Sequence, residues 1–169
     1  MKTRSAEPVH YSYLASSSRK IRESFLKELK SLLGDSGSIV VYNQAFEIRI
    51  LNELADYIPK EKKWVASINN RIIDLLAPFR NFDYYSSKQQ GSASLKKVLP
   101  ALTGKTYKHL EIADGMTASR EFLYTLHGQL FDKKMTKKQI KKTRIALEKY
   151  CELDTLAEVL ILKELDKLC

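Results

Sequence analysis

The chain has 169 residues, with 29 basic against 20 acidic side chains and a formal charge of +9. Apolar residues make up 44 % and charged residues 29 %, a globular balance that excludes collagen-like, low-complexity and disulfide-scaffold chains. No apolar run approaches the roughly 18 residues of a membrane span, and MKTRSAEPVHYSY lacks the apolar core of a secretory signal. The chain therefore reads as soluble and cytoplasmic. Two cysteines, Cys151 and Cys169, are too few for a framework and fit reduced thiols. The length suits a single domain with a real core. The positive charge favours a polyanionic partner such as nucleic acid, although charge speaks to association and not to fold.

In chain order, His10 to Leu14 (HYSYL) can form a short strand with Tyr11 and Tyr13 on one face. Ser16, Ser17 and Ser18 offer an N-cap for a helix over about 19–33, whose Ile21, Phe25, Leu29 and Leu32 recur at helical spacing. Gly34 stops it. Ser38 to Tyr42 (SIVVY) is a short β-branched run between turn signals, which predicts a strand buried on both faces. Asn43 closes that strand and opens a helix over about 44–58, with Phe46, Ile50, Leu51 and Leu54 inward. Pro59 interrupts it, and a further helix over about 61–70 leads into Ile72-Ile73-Asp74-Leu75. NFDYYSSKQQ (81–90) reads as a loop or short hairpin, and Ser94–Leu102 and Met116–Leu126 as short helices. From Thr136 onward the spacing is helical almost throughout, with Ile140, Leu147, Leu153, Leu156, Val159, Leu160 and Leu165 as core candidates. A strand followed by several helices implies an α/β fold.

The sequence has no GxSxG, GxxxxGK[ST] or GxGxxG, so hydrolase-elbow, P-loop and dinucleotide readings lack support. His10, His109 and His127 stand singly, without metal-ligand spacing. Two segments carry more. In Val40-Val41-Tyr42-Asn43-Gln44-Ala45-Phe46-Glu47, a carboxylate follows the carboxyl end of a buried strand, where α/β proteins gather their sites. Glu47 there either meets a metal or complements the positive helix N-terminus. In Tyr150-Cys151-Glu152-Leu153-Asp154-Thr155, a phenol and a carboxylate four apart share one helix face. Such a pair can orient a water beside a metal ligand. Alternatively Tyr150 packs in the core and Asp154 caps a helix kink.

Taken together and in order, N-x-x-F-E after the SIVVY strand, SLKKVLPAL at 94–102 and Y-x-x-x-D near the C-terminus resemble a known family. They are similar to the DEDD-type 3′–5′ exonucleases, tyrosine subclass, and within them to a bacterial branch known as a domain of unknown function. The resemblance spans about residues 10–165. It implies a ribonuclease-H-like (DnaQ-like exonuclease) α/β fold and a site for two Mg²⁺ or Mn²⁺ ions. Residue by residue, it implies that Glu47 and Asp154 are metal ligands and that Tyr150 positions the attacking water. Asn43, Phe46, Ser94 and Lys96 would line the substrate groove, which takes single-stranded nucleic acid ends.

One element of the pattern is absent. The family opens on a D-x-E strand, whereas before Asp35 the acidic residues here are Glu7, Glu23 and Glu28. HYSYL matches a later strand, so the domain is expected to lack its first strands and two of its four carboxylates. Little or no nuclease activity is then expected without an upstream segment. A non-catalytic basic binding module and a truncated gene product with an unpaired sheet edge are the competing expectations. Lys133 to Lys142 holds six lysines, suited either to a phosphate backbone or to a solvated helix face. Phe82, Tyr84 and Tyr85 suit either base stacking or the packing of a hairpin.

Overall fold

The computed structural model describes residues 7–16, 19–130 and 133–168. It is a mixed α/β fold, mostly helical, built around a small parallel sheet. Helix α1 (Ile21–Leu33) precedes strand β1 (Ile39–Val41), and helices α2 (Gln44–Tyr57) and α3 (Lys62–Asn69) lead to strand β2 (Ile72–Asp74). A short helix α4 (Ala77–Arg80) follows, then α5 (Leu95–Thr103) and α6 (Gly115–His127). A two-residue hairpin, β3 (Gln129–Leu130) with β4 (Lys133–Lys134), enters the 30-residue helix α7 (Lys137–Asp166). No helix among the described residues is long and apolar enough to cross a membrane.

Strand β1 pairs in parallel with β2, Ile39 opposite Ile72 and Val41 opposite Asp74. Alternation along the strand divides its side chains between two apolar clusters. Ile39 and Ile72 pack with Leu51, Val65 and Ile68 of α2 and α3. Val40 packs on the larger cluster, centred on Phe79, Val98, Leu99, Leu147, Ala157 and Ile161. With a single partner strand, β1 is half-buried along its length, not sealed on both faces as its composition suggests. Arg71, just before β2, donates to the carbonyls of Leu33, Gly34, Ser36 and Gly37. One guanidinium thereby holds the end of α1 and the turn into β1. The Lys30 ammonium adds a second tie, 2.6 Å from the Glu61 carboxylate and 5.4 Å from the Trp64 ring.

Several expectations need correction. HYSYL is irregular chain, because no strand among the described residues lies beside it. It is held instead by Arg144, whose guanidinium donates to the carbonyls of Leu14 and Ala15, both at 2.8 Å. Helix α1 starts at Ile21 behind Lys20, whose backbone is left-handed (φ 51°), with no side-chain cap. Ser17, Ser18 and Cys169 lie outside the described residues. Of the two alternatives for 81–90 the loop is realised, with a 3₁₀ turn and a Ser86/Gln89 capping box. Phe46 is 50 % exposed, with the Arg49 guanidinium 5.2 Å above its ring, and does not enter the core. Helix α7 follows Thr136, where the helical spacing starts, and opens on a Thr136/Gln139 capping box. Its innermost positions are Ala157 and Ile161, one register over from most of the expected leucines.

Ile161→Ala should cost about 2–5 kcal/mol of unfolding free energy in a urea titration. Met116→Ala, at a site 84 % exposed, should change it by less than about 0.5 kcal/mol. Equal effects would contradict the packing described.

Candidate functional site

Three segments distant in sequence meet at the carboxyl end of β1. The first is the turn from β1 into α2. Asn43 takes a left-handed conformation (φ 79°), which Asn tolerates better than most residues. Its N–H donates to Asp74 Oδ1 at 2.8 Å, and the same oxygen accepts from the Leu76 N–H at 3.0 Å. Asp74 thus ties the ends of both strands and sets the direction in which α2 departs, with Glu47 in its first turn. The second segment is α7, on which Tyr150, Asp154 and Glu158 recur every four residues and share one face. The third is the start of α5, which contributes Ser94, Leu95 and Lys96.

Between them lies a cleft of about 560 Å³, lined by Glu47, Tyr150, Asp154, Glu158, Lys96 and Tyr42, among others. Helix α7 continues unbroken through Asp154, so Asp154 does not cap a kink. Its Oδ1 accepts the Tyr107 hydroxyl at 2.7 Å. Burial, then the Asp154 charge, raises the Tyr150 phenol far above its ordinary value, so it stays a neutral donor. Tyr150 is also a core residue, 9 % exposed, so it packs in the core while bordering the cleft. Lys96 is exposed, its ammonium 5.8 Å from the Tyr107 ring and 6.0 Å from the Tyr150 ring.

The electrostatics centre on Glu158, which the sequence reading overlooks. Burial pushes its carboxyl up to about 8, and the charges of Glu47 and Asp154 push the same way. A hydrogen bond from the Tyr42 backbone opposes them and ties α7 to the end of β1. Burial raises Glu47 as well. The cleft therefore concentrates negative charge in a partly dehydrated space. Carboxylate oxygens are the donors that Mg²⁺ and Mn²⁺ prefer. Among the described residues, however, no group of three or more His, Cys, Asp or Glu side chains is arranged to hold a metal ion. The donor set fits a hard divalent cation in kind and falls short of it in number.

The other expected residues lie at varying distance. Ser94 lines the cleft and also an adjoining depression of about 440 Å³, which takes in Asn43 and Arg80. Phe46 lines neither. Of the lysine stripe, Lys141 stands nine residues before Tyr150, about two and a half turns, and so on the opposite side of α7. Lys142 is engaged with Glu111 at 2.8 Å. A concavity of about 960 Å³ by Lys105, His109 and Lys149 includes none of the expected site residues. Glu158 follows Asp154 at the spacing that relates Asp154 to Tyr150, so helical periodicity carries a signal for it. Tyr107 carries none, since only the tertiary fold brings it to Asp154.

A family model described as a domain of unknown function, DUF2779, matches residues 1–94, more than half of the chain. The chain belongs to the DUF2779 family. No curated protein and no solved structure matches it. The DUF2779 match takes in β1, β2 and Glu47, and ends at Ser94, before the residues that α7 contributes. None of these comparisons places the chain among the DEDD-type exonucleases; that resemblance rests on the motifs.

Because the folded chain keeps the Glu158 proton to about pH 8, while the unfolded chain releases it in the ordinary carboxylate range, the folded state binds more protons between the two. Stability should therefore fall as pH rises through that window. Glu158→Gln should remove this component, so that the melting temperatures of variant and wild type diverge with rising pH. Parallel pH curves would contradict the assignment.

Proposed function

We propose that this chain forms part of a ribonuclease-H-like, metal-dependent 3′–5′ exonuclease-type domain acting on single-stranded nucleic acid ends. The observation that carries the reading is the meeting of Glu47 and Asp154 in one cleft with Tyr150, from segments separated by most of the chain. The motif order supports it, as does a parallel strand pair whose carboxyl end borders the cleft. The positive charge of +9 agrees with a polyanionic substrate.

In this reading Glu47 and Asp154 would hold Mg²⁺ or Mn²⁺. Such a cation, when bound, polarises a phosphoryl oxygen and lowers the pKa of its water. The Tyr107 hydroxyl fixes the orientation of the Asp154 carboxylate, as outer hydrogen bonds commonly do for metal ligands. Tyr150, kept neutral and hydrogen-bonded to Asp154, would position water or a phosphate oxygen beside that carboxylate. Glu158, neutral until about pH 8, would lose its proton more readily with a cation bound beside it. Two-metal cleavage neutralises its ions with more carboxylates than Glu47 and Asp154 supply. The chain by itself is therefore a weak metal binder and an inefficient nuclease, and an added D-x-E strand would complete the site. The same cleft without cleavage describes a nucleic-acid-binding module, so activity separates the two readings.

Millimolar Mn²⁺ should raise the melting temperature of the wild-type chain by a few degrees, about 1 kcal/mol of linkage at several times Kd. Asp154→Asn should abolish that shift. An equal shift in the variant would sink the proposed ligand. Efficient Mg²⁺-dependent trimming of a 3′-labelled oligonucleotide by this chain, lost in Asp154→Asn, would show that the carboxylates present suffice.

A further inference from the structure

The segment between α4 and α5 carries two aromatic rings that the core does not use. Phe82 is 69 % exposed and Tyr85 48 % exposed, with ring centroids 5.9 Å apart. Tyr84, by contrast, turns inward and meets Phe79 edge-on at 5.8 Å. The loop that presents the outer pair is well organised. Gln89 is buried; its Oε1 accepts the Ser86 N–H at 2.8 Å, and its Nε2 donates to the Ser92 carbonyl at 3.4 Å. The Tyr85 hydroxyl accepts the Gly91 N–H at 3.3 Å. Phe82 itself has a left-handed backbone (φ 62°), an uncommon conformation for a bulky residue. An ordered loop that strains its backbone and leaves two rings in water is better explained by a ligand than by packing.

The position of the pair suggests which ligand. Phe82, Tyr85 and Arg80 line a depression of about 210 Å³. Arg80, which is exposed, also lines the depression of about 440 Å³, and that one shares Tyr42, Ser94 and Leu95 with the carboxylate cleft. A track therefore runs from the acids, past a guanidinium, to a pair of aromatic faces. Single-stranded nucleic acid presents the matching alternation of phosphates and flat bases. We propose that Phe82 and Tyr85 stack on an unpaired base, and that Arg80 meets a phosphate between that base and the 3′ end in the carboxylate cleft. This inference rests on the exonuclease-type reading of the cleft and names how its substrate is held.

The test is fluorescence anisotropy with a fluorescein-labelled oligo-dT single strand and its blunt duplex, in EDTA so that metal ligation plays no part. The Phe82→Ala/Tyr85→Ala double variant should bind the single strand about tenfold more weakly, at an unchanged melting temperature. Phe82→Trp should retain affinity. Phe82→Gly, which relieves the backbone, should lose affinity while holding or raising the melting temperature, so that loss of binding cannot be misfolding. Arg80→Gln should lower the slope of log affinity against log salt by about one, and the aromatic variants should leave it unchanged. Wild-type binding by the double variant, or equal affinity of wild type for the duplex, overturns the proposal. An unaltered Mn²⁺ response in Asp154→Asn alongside the aromatic loss removes the metal reading and keeps the stacking site. The reverse pattern removes the stacking site alone.

Discussion

Negative charge crowded at the end of a strand is the constraint around which this molecule is organised. Glu47, Asp154 and Glu158 come from α2 and α7, and they line one partly dehydrated cleft. The proton held on Glu158 to about pH 8 reflects its burial first and the neighbouring Glu47 and Asp154 charges second. A fold selected for stability alone would place an apolar residue or an ion-pair partner at that position.

The scaffold around the cleft is built to keep that arrangement in place. Asp74 fixes the two strand ends through the Asn43 and Leu76 amides, and Arg71 holds the turn into β1 through four carbonyls. Tyr107 orients Asp154 from outside the cleft. The sheet is small, yet it separates two apolar clusters, so a shift of β1 would disturb both packing and site. This coupling explains how a two-stranded sheet can hold the cleft in place without the width of a larger one.

Much of the helical layout was legible because amphipathic spacing and the Gly34 stop are local signals. The site was legible in outline: Glu47, Tyr150, Asp154, Ser94 and Lys96 border one cleft as the motif order implies. Phe46 failed because helical spacing does not say which of several apolar positions faces the core, and the Arg49 guanidinium covers its ring in solvent. HYSYL failed because β-propensity needs a neighbouring strand, which no local sequence supplies. Glu158 was within reach of the period of α7, whereas Tyr107 and the Asp74 bracket depend on contacts across the fold. The ribonuclease-H-like reading goes beyond the mixed α/β architecture and the DUF2779 membership, and its weight lies on the motifs and the cleft.

The most direct measurement is paramagnetic broadening of the backbone amide resonances of the labelled chain by substoichiometric Mn²⁺. If the cleft focuses cations as described, signals from Tyr42, Glu47, Asp154 and Glu158 should disappear first and together. Broadening that begins at Glu111 and Glu152, or spreads evenly over the exposed carboxylates, would contradict a shared ion at the end of β1.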